Sequence, residues 1–220
     1  MEASASFFLF VNMTTPTTIN DETELSAVNT ILGVLGQNPV TTLESSTGFT
    51  DPQTAIIHNI LKECNSDVQN EGWSFNRENH VKFTPDPTTK HIIIPTNVLR
   101  IDSENPEDKS FNLIRRHGKL YDKVNHTFQF EDDISCNVVY FFEYEDIPSI
   151  FRRLITYRAA GRAAAQLVTN SQLAQFIQIQ EQLARASCME YECNQGDYNM
   201  LGFPDNTHYS TYKPYKGLQR

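Results

Sequence analysis

The periodicity of apolar residues changes twice along this chain, and this change constrains the fold more than any other feature of the sequence. Before residue 73 and after residue 147, apolar residues recur every three or four positions, as they do on one face of a helix. Between these segments, Pro, Asn, Asp and Gly separate short runs that are rich in β-forming residues. The pattern predicts an α+β fold in which a small sheet is inserted between two pairs of helices.

Two helices are predicted in the N-terminal part. The first has Asp21 as its N-cap, begins near Glu22 and ends at Gly36. The second follows Asp51-Pro52, in which proline takes the first helical position, and it ends at Gly72. The apolar stripes that define them are Leu25, Val28, Leu32 and Leu35 in the first helix, and Ile57, Ile60, Leu61, Cys64 and Val68 in the second.

Two more helices are predicted near the C-terminus, one opened by Pro148 and one capped by Ser171. Because only Thr169-Asn170 connects them, we expect them to pack antiparallel. The expected apolar stripes are Leu154, Tyr157, Gly161, Ala164, Ala165 and Val168 in the third helix, and Leu173, Phe176, Ile177, Gln180, Leu183, Ala184, Ser187, Cys188 and Tyr191 in the fourth.

The segment between the helix pairs contains the runs of β-forming residues, which lie at 81–84, 91–94, 97–102, 111–116, 119–122, 126–130 and 135–144. Turn-forming residues bound these runs, so the segment is predicted to form an antiparallel β-meander or a small β-sandwich. The predicted organisation is an antiparallel four-helix bundle, made of residues 21–72 and 148–199, with an inserted β domain at 73–147.

The two ends of the chain are expected to lie outside this fold. Residues 1–20 are interpreted as a disordered extension. Residues 200–220 carry three cations and one acid, so their charge is +2, while the whole chain carries −9 and the remainder −11. The aromatic and basic residues that alternate toward the end of this arm are Tyr209, Tyr212, Lys213, Tyr215, Lys216 and Arg220, and Phe203 is a fourth aromatic residue. Two interpretations stay open: a frayed terminus, or an arm that becomes ordered when it docks on a partner.

The sequence offers few residues in patterns that carry chemistry. It contains no phosphate-binding loop, nucleophile elbow or zinc-protease motif, and the four cysteines form no CxxC pair. We therefore expect reduced, partly buried thiols and no bound metal or cofactor. His58 shares a helix surface with Lys62 and is expected to be solvated. No apolar run is long enough for a membrane-spanning helix.

A hydrolase remains the alternative class of function. Its two carboxylates would be Glu63 and Glu71, which lie eight residues apart near the end of the second predicted helix. That spacing separates them by about 12 Å along a helix, which suits neither glycosidase mechanism well. A DNA-binding regulator is disfavoured by the net charge of −9 and by the lack of a recognition-helix motif.

Three arginines of the third predicted helix, Arg152, Arg158 and Arg162, fall within one arc about 120° wide. Two interpretations stay open. The arginines either pair with acids of the same subunit, or they make diffuse phosphate contacts in a ring with a central channel.

Several segments, taken in order, resemble the tail tubular protein A family of T7-like, short-tailed bacteriophages. The resemblance covers roughly residues 20–202 and is carried by 24–29 (ELSAVN), 36–40 (GQNPV), 71–76 (EGWSFN), 94–95 (IP), 98–102 (VLRID), 120–122 (LYD), 158–160 (RAA) and 196–200 (GDYNM). It implies a structural protein of the virion tail, synthesised in the cytoplasm of a bacterial host.

In that family, twelve copies form a ring that joins the portal of the head to the nozzle of the tail. The resemblance therefore implies a head-tail connector whose partners are further copies of the chain, the portal protein, the nozzle protein and the tail fibres. It also implies transient, non-specific contact with double-stranded DNA during ejection. The arm at 200–220 is expected to reach the portal, and the arginine arc to lie at the channel or at a subunit contact.

Overall fold

Four helices carry the N-terminal and C-terminal parts of the chain in a computed structural model, which describes residues 22–45, 48–49, 51–103, 111–168 and 170–196. The helices are α1 (Glu24–Val34), α2 (Pro52–Asn70), α3 (Ser149–Leu167) and α4 (Ser171–Gly196). The described strands are β1 (Glu44–Ser45), β2 (Gly48–Phe49), β3 (Arg77–Phe83), β4 (Val98–Ser103), β5 (Leu113–Arg116), β6 (Lys119–Asp122) and β7 (Ile134–Tyr140). The predicted α+β class is confirmed.

The second helix begins and ends where the sequence predicts. Asp51 is its N-cap and Pro52 takes the first helical position, where a missing N–H costs nothing. The chain then leaves the helix through Gly72, whose φ of 80° is a left-handed conformation that favours glycine. All five residues of the predicted stripe are buried.

The caps of α1 and α4 differ from the prediction. Thr23, rather than Asp21, caps α1, because its side-chain oxygen accepts a hydrogen bond from the backbone N–H of Ser26 at 3.2 Å. Asp21 itself lies outside the described residues. Asn170, rather than Ser171, caps α4, because its Oδ1 accepts from the backbone N–H groups of the second and third helical residues at 3.1 and 3.3 Å.

The third helix is the centre of the helical part, since α1, α2 and α4 all pack against it. Its buried face is therefore wider than the predicted stripe, and comprises Phe151, Leu154, Ile155, Thr156, Ala159, Ala160, Ala163 and Ala164. Of the predicted stripe, Tyr157 and Gly161 are only half-buried and Ala165 is exposed. The alanines let neighbouring helices approach closely on more than one side.

The β part consists of small antiparallel sheets. The main sheet has the order β3-β7-β4, so the last strand in sequence lies between two earlier ones. The meander alternative is therefore wrong. The β5-β6 hairpin turns at His117-Gly118, and its Leu113 and Leu120 share a core with β4 and β7. The runs 91–94 and 126–130 form isolated bridges rather than strands.

Buried side-chain amides join the helical part to the sheet. Gln69, near the end of α2, hydrogen-bonds the backbone of Phe142, just beyond β7. Asn76 donates through Nδ2 to the carbonyl oxygens of Gln69 and Tyr140, at 2.9 and 3.0 Å. Trp73 lies at the same junction, with its ring centroid 4.9 Å from that of Phe151 on α3. The end of α2, the end of β7 and the start of α3 are thus held in one arrangement.

Candidate functional site

A four-residue ion-pair cluster lies where α2, α3 and α4 meet. Arg185 of α4 donates to both carboxylate oxygens of Glu71, with distances of 3.1 and 2.8 Å. Arg158 of α3 donates to Glu71 at 3.2 Å and to Glu181 of α4 at 2.9 Å. Two cations and two anions therefore neutralise one another. The planar guanidinium groups bind carboxylates in fixed directions, which sets the mutual position of the three helices.

Burial works against the charged form of Arg158, but its hydrogen bonds to Glu181 and Glu71 outweigh this effect and raise its pKa. Arg162, one turn further along α3, pairs with Asp67 of α2. The hydrogen bond to Asp67 raises the pKa of Arg162. Both arginines therefore remain charged, and each has a carboxylate partner inside the same subunit. Of the two interpretations that the sequence left open, pairing within the subunit describes these two residues.

Arg152 is held apart from the other two arginines of the predicted arc. Its Nη1 donates to the backbone carbonyl of Glu22, before α1, at 3.0 Å. Its Nε is buried and, within the described part of the chain, has no hydrogen-bond partner. The structure thus brings Arg158 and Arg162 to the α2 side of α3, while Arg152 extends toward α1. What the three residues contact in an assembly stays a prediction.

His58 is a buried link between helices, so the prediction that it is solvated is wrong. The residue is only 3% exposed, and its Nε2 lies 2.9 Å from a carboxylate oxygen of Glu24 on α1. The sequence shows that Lys62 shares a helix surface with His58. It does not show that α1 packs over His58 and covers it. Glu24 and His58 therefore tie the first two helices together.

The fourth helix buries much less than its predicted stripe. Ile177, Ala184 and Cys188 are buried against the rest of the helical part, whereas Phe176 and Leu183 are 69% and 58% exposed. The expectation that these two residues lie on the core face is wrong. Ile179, which the stripe omitted, is also half exposed. We call the exposed side the outer face of α4, and it comprises Gln172, Gln175, Phe176, Ile179, Gln182, Leu183 and Ala186.

The outer face adjoins a groove between α3 and α4. Ile150, Arg153 and Tyr157 line the groove from α3, and Leu183 and Ser187 from α4. The guanidinium carbon of Arg153 lies 5.7 Å from the centroid of the Tyr157 ring, a cation–π distance. Apolar and aromatic surface therefore continues from α4 onto α3. The sequence carries a signal for this surface, because only two residues from Ser171 to Met189, Glu181 and Arg185, are charged; apolar spacing alone does not reveal it.

The two carboxylates that the sequence offers for a hydrolase, Glu63 and Glu71, lie in different surroundings. Glu71 accepts hydrogen bonds from two arginines through both oxygens, whereas Glu63 is exposed on α2. Across the described residues, no group of three or more His, Cys, Asp or Glu side chains is placed to hold a metal ion. Nor do those residues include a helix long and apolar enough to cross a membrane.

The other predicted site lies in the C-terminal arm. Its residues, Tyr209, Tyr212, Lys213, Tyr215, Lys216 and Arg220, fall outside the described part of the chain. Their role in docking therefore stays a prediction. The helix that leads toward them, α4, is described up to Gly196.

A family described as tail tubular protein matches residues 25–198, a stretch that begins in the first turn of α1 and extends past the end of α4. A comparison with curated proteins found no match.

Proposed function

Since the chain belongs to the tail tubular protein family and is thus a structural protein of a bacteriophage tail, we propose that it is the subunit of a head-tail adaptor ring. The ring joins the portal to the nozzle, helps to anchor the tail fibres and leaves a channel for DNA ejection. The observation that carries the proposal is the extent of the family match, which includes the helical part and the sheets together.

In this proposal, each part of the chain has its own task. Residues 21–72 and 148–199 form an antiparallel four-helix bundle that meets neighbouring subunits, and the inserted domain at 73–147 presents its loops to other tail proteins. Residues 200–220 are the docking arm for the portal, and their charge of +2 contrasts with −11 on the remainder.

The arginines on α3 contribute either at the channel or at a subunit contact. The ion pairs of Arg158 and Arg162 inside the subunit support a channel with little affinity for phosphate, because a paired arginine neutralises fewer DNA phosphates. Such a wall lets double-stranded DNA pass without being held. Substitution of Arg152, Arg158 or Arg162 is therefore expected to alter assembly or DNA retention rather than to create or abolish a sequence preference.

Removal of the arm tests its role in docking. A variant that lacks residues 209–220 should fold and remain soluble, but it should no longer co-sediment with purified portal particles. The matched control lacks residues 1–20, to which the proposal gives no docking role, and should bind as the full chain does. Equal binding by both truncated variants would contradict the arm's role.

We also propose that the chain is not an enzyme, since the engagement of Glu71 by Arg158 and Arg185 supports a structural task for this carboxylate. Incubation of the purified protein with peptidoglycan and with soluble glucans tests this, with release of reducing sugar as the measurement. No release above the buffer control is expected. Release that a Glu63→Gln or Glu71→Gln variant abolishes would establish the hydrolase alternative instead.

A further inference from the structure

We propose that the outer face of α4 is a contact surface between neighbouring copies of this chain. The proposal rests on the adaptor ring proposed above and deepens it, because it names the surface through which one subunit meets the next.

The first observation is the apolar exposure of this face. Phe176, Ile179 and Leu183 are 69%, 50% and 58% exposed, and their spacing of three and four residues places them side by side along the helix. A helix that faces only water normally carries polar and charged residues on that side. A contiguous exposed apolar strip of this kind marks an interaction surface.

The second observation is the absence of unpaired charge. From Ser171 to Met189, the only charged residues are Glu181 and Arg185, and both are engaged in ion pairs with residues of the same subunit. The remaining positions on the outer face are glutamine and alanine. Depletion of charged residues beside exposed aromatic and aliphatic ones is the composition of an interface core rather than of a solvated surface.

The charge of the whole chain argues for a second copy as the occupant. Each copy carries −9, so two copies repel each other wherever unpaired acids face one another. A contact between copies is least costly on a surface that is free of unpaired charge, and the outer face of α4 is such a surface. The same neutrality offers nothing to DNA, which would need cations here.

The size of the face fits one part of a larger contact. The outer face runs from Gln172 to Ala186 and spans about 21 Å, so a strip about 10 Å wide along it covers about 200 Å². A stable contact buries about 800 Å² on each partner, so the adjoining groove lined by Ile150 and Tyr157 supplies further area. In a ring the contact is heterologous, so a different face of the neighbour packs against α4.

Charge insertion into this face provides the test. The variants Phe176→Glu and Leu183→Glu place a carboxylate where the next subunit would bury it, which is costly without a partner charge. Ile93→Glu is the matched control, because Ile93 is 72% exposed but belongs to the β part. Circular dichroism and thermal melting check that all three variants fold. Electron microscopy and analytical ultracentrifugation then measure how many rings each protein forms, both by itself and in the presence of portal particles.

We expect both α4 variants to fold and to form fewer rings than the wild type, by a factor of about ten or more. Ile93→Glu should form as many rings as the wild type. If the wild type forms rings and both α4 variants form them equally well, this inference is overturned and the adaptor proposal stays intact. A wild-type protein that forms no ring, alone or with its portal, would overturn both.

A photo-crosslinker at position 176 identifies the occupant independently. In the assembled protein, the expected adduct has twice the mass of the chain and links α4 to a peptide of a second copy. An adduct within one chain that contains residues 197–220, or an adduct with the portal protein, would show a different occupant and contradict the proposal.

Discussion

Gln69 makes two hydrogen bonds with the backbone of Phe142, and both are 2.8 Å long. Its Nε2 donates to the carbonyl oxygen, while its Oε1 accepts from the amide N–H. The residue is fully buried at the end of α2, so this pair connects the helical part to the end of β7. The side chain of Gln69 thus bonds the Phe142 backbone as a neighbouring strand would. Its loss leaves the N–H and the carbonyl group of Phe142 without these bonds.

Replacement of Gln69 by leucine should destabilise the protein by about 2–4 kcal/mol, because two partly buried backbone groups of Phe142 and the side chain of Asn65 would each lose a partner. Urea denaturation followed by circular dichroism measures the change in the free energy of unfolding. Gln53→Leu, at an exposed position of the same helix, should change it little. Equal stability of the two variants would contradict this account of the junction.

Replacement of Glu71 by glutamine should lower stability by about 1 kcal/mol, because Arg158 and Arg185 lose their shared partner in a partly exposed cluster. The loss should shrink at high salt, which screens the wild-type interaction. Asp67→Asn is the control, since its pair with Arg162 is more exposed and is expected to contribute less. Thermal melting of the three proteins at low and high salt gives the comparison, and a larger loss for Asp67→Asn would count against the cluster.

The buried Asp122 should make the protein sensitive to acid. Burial alone would raise the pKa of this carboxyl, but hydrogen bonds from Asn112, Val124 and Asn125 lower it. A carboxyl whose folded-state pKa is depressed contributes stability above its unfolded pKa of about 3.9, and that contribution is lost as the pH falls through the folded value.

The free energy of unfolding of Asp122→Asn should therefore fall less steeply than that of the wild type as the pH decreases from about 5 to 2. At neutral pH the variant should be less stable than the wild type by about 1–3 kcal/mol. Urea titrations at several pH values measure both effects, with the exposed Asp132→Asn as the control. Parallel pH profiles for wild type and Asp122→Asn would refute the assignment.

The four cysteines should differ sharply in reactivity. None of them forms a disulfide, as the sequence predicts, but Cys193 is exposed whereas the other three are buried. Burial raises the pKa of Cys64 and of Cys188 to about 11, so at pH 8 almost none of their thiolate, the reactive form, is present. A disulfide reagent should modify one thiol rapidly in the native protein and the others only after unfolding.

Cys193→Ser should abolish the rapid phase. The absorbance of the thionitrobenzoate that the reagent releases measures this phase. Cys136→Ser, by contrast, should leave the rapid phase unchanged. Rapid reaction of more than one thiol in the folded protein would contradict the burial of the other three.

Local signals made much of the fold predictable. Asp51-Pro52 and Gly72 set the ends of α2, and the apolar spacing between them identified its buried face, because all of these depend on neighbours within a few residues. The β5-β6 hairpin is similarly local, since its strands are separated by the His117-Gly118 turn. Features of this kind need no knowledge of the tertiary structure.

Long-range pairing was not predictable in the same way. Strand β7 lies between β3 and β4 although it is the last in sequence, and nothing in the composition of the runs fixes that order. The central position of α3 could not be foreseen either, because the buried alanines of this helix match several possible partners. His58 was misplaced for the same reason, since its partner Glu24 lies on another helix.

The candidate site shows the same division. Sequence spacing grouped Arg158 with Arg162, but it could not supply their partners, because Glu71 lies 87 residues from Arg158 in the chain. Apolar spacing also placed Phe176 and Leu183 in the core, since periodicity reports that a face is apolar and not which surface covers it. From Ser171 to Met189 the only charged residues are Glu181 and Arg185, and this scarcity of charge separates the outer face of α4 from a solvated one.

The central claim, that this chain is the subunit of an adaptor ring, is tested most directly by electron microscopy of the purified full-length protein, alone and mixed with its portal. We expect closed rings with a central channel, seated on the portal in the mixture. A protein that stays monomeric in both samples, at concentrations where the portal itself is intact, would contradict the claim.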